Sequence, residues 1–212
     1  MRLVDAVSLR SRRRKLALFA ETMRPAAETT VVDVGVDDSG FGERGAPDHG
    51  GCGTLNFFEE LYPWPERITA VGIHEGRRFA ERYPAARYVQ ASALELPFED
   101  GAFDVYFSNA VIEHVGPREA QRRFVAEALR VAPRVFITTP NRWFPVELHT
   151  RAPLVHWLPD AVAHRAYDLI RKPWAKENHL LGPRDLRGLF PLERRSEVRI
   201  VNLGMTLVAI VG

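Results

Sequence analysis

The sequence predicts an α/β protein built on a doubly wound, mostly parallel seven-stranded sheet that ends in an antiparallel hairpin. Three observations carry this. Short apolar runs of strand length alternate with helical stretches through residues 30–139, the order that places helices on both faces of a parallel sheet. The first run, Thr30–Val34, leads into an acid-and-glycine turn, Asp33-Val34-Gly35. Such a turn, at the carboxyl end of a buried first strand, is where ligands of open α/β sheets usually lie. At the far end, Glu197–Val201 and Met205–Val211 are β-rich and flank Asn202-Leu203-Gly204, a short turn that tolerates positive φ.

The elements follow in order. Ser11–Met23 reads as a helix with a serine cap, stopped by Pro25. Its basic run, Arg12-Arg13-Arg14-Lys15, reads as a solvated face, with a phosphate or lipid patch as the other reading. After the first strand, Asp37–Asn56 is too rich in Gly, Asp and Pro for a regular helix. A helix over Phe57–Leu61 ends before Pro63 and Pro65, and Ile68–Ile73 is a second strand. Arg77–Tyr83 is a helix, Arg87–Gln90 a third strand, 91–100 a loop and Phe103–Ser108 a fourth strand. Pro117–Leu129 begins with a favoured first-turn proline and spaces Phe124, Ala128 and Leu129 along one apolar face. Val135–Thr139 is a fifth strand, stopped by Pro140. Residues 143–181 hold three tryptophans, Trp143, Trp157 and Trp174, and read as an insertion placed to cover a ligand. The whole chain, 1–212, reads as one domain with 143–181 as its lid.

Bulk properties narrow the function classes. A chain of 212 residues with 46% hydrophobic and 26% charged residues is ordinary for a soluble globular protein. A formal net charge of +2 gives no argument for nucleic acid as a partner. The single cysteine, Cys52, excludes an internal disulfide and a cysteine-based zinc cluster, and suits a reducing, cytoplasmic setting. No window reaches the ~18 apolar residues of a membrane span, and Leu16–Ala20 is too short for a signal peptide.

The central run LPFEDGAFDVYFSNAVIEHVG, Leu96–Gly116, carries the most specific motif: Pro97-Phe98, then Phe103-Asp104, then Glu113-His114. With the turn after the first strand and the terminal hairpin, it resembles the class I S-adenosylmethionine-dependent methyltransferases, most closely the small-molecule branch with ubiquinone-type O-methyltransferases. The resemblance covers roughly residues 28–212 and implies a Rossmann-like methyltransferase fold. It implies S-adenosylmethionine as cofactor and a small-molecule or lipid-like acceptor. The family turn D-x-G-x-G-x-G is matched by Asp33 and Gly35, with Asp37 and Ser39 at its next two glycine positions and Gly40 and Gly42 further on. The ribose-binding acid of the family falls on His74, with Glu75 one residue later; the acid after the third strand falls on Ser92, with Ala93 next. Asn109 matches a position whose backbone lies near the cofactor. The resemblance thus assigns Asp33, Gly35, Asp37, His74, Glu75, Ser92, Ala93 and Asn109 to the cofactor.

On the acceptor side, His114 is a candidate base or substrate contact, and His149, two residues from Glu147, a candidate general base. In ubiquinone-type members an acid-x-x-acid-His cluster can bind a divalent metal. Here Ala110 stands where the first acid would be, leaving two ligands, and no metal is expected. His74-Glu75 lacks the second histidine of a zinc signature, since Arg78 is four residues on. His156 and His164 read as surface or helix residues. The aromatics of the insertion either line an apolar pocket or rest on a membrane surface to take a lipid. Two readings remain at this point: an active methyltransferase, or a catalytically inactive protein of the same fold that serves as binding or regulatory partner. Homo- and hetero-oligomers are open to both.

Overall fold

The computed structural model describes residues 3–37, 56–147 and 149–212, with backbone alone over 3–9. Ser39, Gly40, Gly42 and Cys52 lie outside the described residues. The strands are β1 (Val31–Val34), β2 (Ile68–Gly72), β3 (Arg87–Gln90), β4 (Val105–Asn109), β5 (Arg134–Pro140), β6 (Arg199–Asn202) and β7 (Thr206–Val211). They form one sheet in the order β3-β2-β1-β4-β5-β7-β6. Pairings of β1 with β2 and β4, and of β2 with β3, are parallel; β6 and β7 are antiparallel. The strands β1, β2 and β7 are buried residue by residue, as predominantly Val, Ile, Leu and Ala runs require when both faces are covered, with Asp33 the one charged residue among them. Both edge strands are half-exposed and end in polar residues, Arg87 and Gln90 in β3, Arg199 and Asn202 in β6. Polar and charged ends discourage pairing with another chain.

The chain divides into two compact units, Met1–Ser108 with Glu127–Phe136 and Gly212, and Asn109–Ala126 with Ile137–Val211. In the first unit, helix α1 spans Leu3–Met23. It extends back past the predicted Ser11 start, because residues 3–10 contain no glycine or proline to stop it. Arg24, at φ 43°, and Pro25 end it. The basic run is not wholly solvated: the Lys15 ammonium lies 5.2 Å from the Phe57 ring centroid and the Arg12 guanidinium 5.8 Å from it. Arg13 and Arg14 remain exposed. Helices α2 (Phe57–Leu61) and α3 (Arg77–Arg82) follow. The core is aromatic. Phe107 stacks on Phe58 at 4.1 Å and on Phe136 at 5.7 Å, with Phe19 edge-on at 5.5 Å.

The second unit opens at Asn109 and Ala110, the latter at φ 58°. Helix α4 (Arg118–Val131) begins one residue after the predicted Pro117, and Glu113-His114 sits in the turn before it. Gly116, at φ 114°, supplies the reversal that separates them. Residues 143–181 fold into 3-10 turns at Val155–Trp157 and Pro173–Glu177 around helix α5 (Asp160–Leu169). Ala163 and Tyr167 of α5 pack with Ala175 and Val155. Helix α6 (Pro183–Arg187) leads to the hairpin. No helix among the described residues is long and apolar enough to cross a membrane.

Candidate functional site

In the first unit the strand order reverses at β1, whose neighbours β2 and β4 lead off in opposite directions. Ligands of doubly wound sheets bind outside the carboxyl ends of the strands at such a point. Gly35 lies there at φ 102°, exposed, its N–H donated to the Val71 carbonyl at 2.8 Å. A side chain would be strained at that φ. Asp37 is pinned by Asn56, whose amide oxygen accepts the Asp37 N–H at 3.0 Å and whose amide donates to the Asp37 carbonyl at 2.8 Å. Sequence reasoning missed Asn56; its place just before α2 reads as a helix cap, yet it makes no side-chain cap bond.

Asp33 is buried beneath this turn beside Glu59, a partner that sequence reasoning also missed. Burial, then repulsion from Glu59, pushes the Asp33 carboxyl well above the usual range. Burial likewise pushes Glu59 up, to about 7, against a lowering hydrogen bond with Asp33. Two neighbouring buried carboxyls favour their neutral forms, because like charges in a low dielectric repel strongly. His74 and Glu75 are exposed in the bend after β2, with Glu75 in an exposed ion pair with Arg77 at 3.0 Å. The Tyr88 hydroxyl donates to the His74 carbonyl at 2.6 Å. Gly76, at φ 71°, packs so tightly on the Tyr88 ring that an added Cβ would lie 2.1 Å from it. Ser92 is exposed, its hydroxyl accepting from the Leu94 N–H at 3.2 Å, and Ala93 is half-buried beside it.

The second unit brings together His114 and His149. Their Nε2 atoms are 3.2 Å apart and their rings meet edge to face. Glu113 is fully buried behind them; its Oε1 is 3.9 Å from each Nε2, and its Oε2 accepts from the Thr139 hydroxyl at 3.0 Å. Glu147 is also buried. One of its oxygens takes the His149 N–H at 3.0 Å and faces His149 Nδ1 at 2.8 Å, while the other takes the Thr150 N–H. Burial alone would raise Glu147, but the hydrogen bonds from His149 and Thr150 outweigh it and hold the carboxyl at about 2. For His149 burial acts downward, and the bond to Glu147 with the charges of Glu113 and Glu147 turns the net shift upward. The motif count reached two metal-capable residues; the fold adds His149 as a third donor within 4.8 Å of the others. Asn109 ends β4, half-buried, its amide oxygen accepting from the Thr138 hydroxyl at 2.9 Å. His156 is buried, not at the surface, with Nε2 3.0 Å from the Phe144 carbonyl; His164 is exposed on α5. Nearby lies a cavity of about 430 Å³ whose walls include Arg142, Glu147, His156, Tyr167, Lys176 and Asp185.

A family model described as a methyltransferase domain matches residues 49–134. Over those residues the chain is similar to a methyltransferase domain. Solved structures of methyltransferases share the fold. One, from Galdieria sulphuraria and described as a sarcosine dimethylglycine methyltransferase, is 16% identical with a TM-score of 0.59 and covers 92% of this chain. This chain spans 63% of that protein's length. A methyltransferase from Aquifex aeolicus is 15% identical, with a TM-score of 0.55 over 95% of this chain and 89% of its own. The N-methyltransferase NodS from Bradyrhizobium japonicum, solved with S-adenosyl-L-homocysteine, is 13% identical, with a TM-score of 0.55 over 94% of this chain and 85% of its own. No curated protein sequence matches the chain. The similarity to a methyltransferase domain favours methyl transfer over the reading as an inactive partner. The carboxyl ends of β1–β3 present a glycine turn with positive φ and exposed hydrogen-bonding groups at His74, Glu75 and Ser92.

Proposed function

We propose that the protein transfers the methyl group of S-adenosylmethionine to a polar small-molecule acceptor. The observation that carries this reading is Gly35, exposed at φ 102° where the strand order reverses. S-adenosylmethionine supplies a methyl group activated by the positive sulfur. The chain's work is to hold donor and acceptor in line and to exclude water, since alignment contributes most of the acceleration in such displacements. Gly35 and the Asp37 backbone would cradle the amino-acid part, with Asp33 bracing the turn from below. His74 and Glu75 would meet the ribose hydroxyls, and Ser92 and Ala93 the adenine edge. Ile73, 68% exposed beside His74, offers apolar surface to the same ring. Asn109 is assigned to the cofactor by its place at the end of β4.

His114 and His149 are the acceptor-side residues, oriented by Glu147. The cavity beside Glu147 has the size of a small-molecule site, and its walls carry both signs of charge. That favours a polar or zwitterionic acceptor over a lipid-like one. The exposed apolar residues of the insertion, among them Trp143, Trp157 and Leu169, keep a peripheral membrane contact as the second reading.

The test is a transfer assay with radiolabelled S-adenosylmethionine and a panel of small amines, hydroxy acids and phenols. Label should appear in at least one acceptor, with an equal amount of S-adenosyl-L-homocysteine. Replacing Gly35 by Val should lower cofactor affinity at least about tenfold with the fold intact, because the turn must then distort to relieve the strained φ. No transfer to any acceptor by protein that binds the cofactor would sink the catalytic half of the proposal.

A further inference from the structure

We propose that the cavity of the second unit binds a neutral polyhydroxylated ring, a sugar or cyclitol, and that His156 and Asn178 read its hydroxyls. The inference names the acceptor class of the proposed methyl transfer and rests on that reading only for the fate of the bound molecule. The cavity, about 430 Å³, is large enough for such a ring, and most of its wall is polar. Two wall residues are incompletely bonded. His156 is buried with Nε2 3.0 Å from the Phe144 carbonyl, which fixes the ring proton there and leaves Nδ1 as an acceptor. Nδ1 is buried with no hydrogen-bond partner among the described residues, and so is the Asn178 amide nitrogen, a donor. Each such group left unmade costs stability, so a partner from outside the chain is the natural complement. A hydroxyl suits both, since it donates one hydrogen bond and accepts others.

The charges around the cavity favour a neutral ligand over an ion. Of the charged wall residues, Arg118 pairs with Asp185 at 3.5 Å, Lys176 with Asp168 at 2.6 Å and Glu147 with His149 at 2.8 Å. A carboxylate or ammonium would have to displace one of these partners. Two half-exposed indoles border the wall. Trp157 meets the His156 ring at 5.8 Å, edge to face. Trp143 lies so close to Gly182 that a Cβ added there would be 2.7 Å from its Nε1 and 3.2 Å from the Asp185 carboxylate. The two indole rings are 6.4 Å apart. An indole offers an apolar face to the C–H side of a sugar ring, while the polar wall takes the hydroxyls. The wall is also tied to the candidate acceptor residues. His179 donates its N–H to the Glu113 carbonyl at 2.8 Å, and buried Gln121 donates to the Ile112 carbonyl at 3.2 Å and the His179 carbonyl at 2.9 Å. Transfer to such an acceptor would give a methyl ether. The hydroxyl oxygen gains the new C–O bond as the S–C bond of S-adenosylmethionine breaks, and the hydroxyl proton passes to Nε2 of His114 or His149.

The experiment uses the full chain and saturation-transfer NMR with D-glucose, D-mannose, L-rhamnose and myo-inositol, beside glycine, succinate and 4-hydroxybenzoate. At least one sugar or cyclitol should bind with Kd in the millimolar range or tighter, and more tightly than any of the last three. His156→Phe and Asn178→Leu should each weaken that binding at least about tenfold. Asn178→Leu should unfold at the same temperature or higher, because it removes a buried donor that has no partner. Thermal unfolding of His156→Phe checks that it is folded. No saturation transfer to any of the four at about 50 mM would overturn the proposal. So would tighter binding of glycine, succinate or 4-hydroxybenzoate, or sugar binding that both variants leave intact. Radiolabelled S-adenosylmethionine separates the two ideas. Sugar binding with no label transferred supports the pocket and overturns its use as the acceptor site. Label transferred to another acceptor by protein that binds no sugar overturns the pocket and leaves methyl transfer standing.

Discussion

Replacing Phe107 by Ala should lower the unfolding free energy by about 3–5 kcal/mol, the largest effect expected of any single change in the first unit. Phe107 is 1% exposed and stacks on Phe58 and Phe136 while Phe19 meets its edge. Truncation removes an aromatic ring's burial, three ring contacts, and leaves a cavity that two flanking strands and a helix cannot easily close. Thermal unfolding should show a drop of about 10 °C or more for a chain of this size. Phe107→Leu, which refills part of the space, should recover most of the loss. A change under about 1 kcal/mol for the alanine variant would mean that this aromatic cluster is not the unit's core.

Glu59→Gln should stabilise the protein at alkaline pH and leave it nearly unchanged at acid pH. The sign follows from burial. Glu59 is pushed up to about 7 in the fold, so its neutral form is the one the fold prefers. Its contribution is fully present below the unfolded value near pH 4.5 and is lost as pH rises through about 7, when a buried carboxylate must ionise beside Asp33. Glutamine copies the neutral acid and cannot ionise. Urea unfolding at about pH 5 should give equal stabilities, and at about pH 8.5 the variant should lead by on the order of 2 kcal/mol. Equal stabilities at both pH values would show that the pair ionises freely and is not desolvated.

The sheet was legible in the sequence because its central strands are buried on both faces and so cannot hide behind alternation. The runs Phe57–Leu61 and Arg87–Gln90 coincide with their elements, and the hairpin turns one residue later than predicted, over 203–205, with Asn202 still paired in β6. The start of α1 was misread because Ser11 is a good cap residue standing in a helix that nothing interrupts earlier. The sites were only half legible. Asp33 as a buried strand carboxylate announces that it needs a partner, but Glu59 lies beyond a long glycine-rich stretch and no local pattern links the two. Glu113 and His114 are adjacent, whereas His149 stands 35 residues from His114 and joins them only when the chain folds back. Glu147 carries no motif either; its importance comes from being buried and bonded to His149 and Thr150 at once.

The most direct measurement for the central claim is calorimetric titration of the full chain with S-adenosyl-L-homocysteine, alongside the Gly35→Val variant. The methyltransferase reading predicts saturable binding of one equivalent to the native protein and at least about tenfold weaker binding to the variant. An absence of heat and of any thermal stabilisation with the ligand at about 1 mM would contradict it.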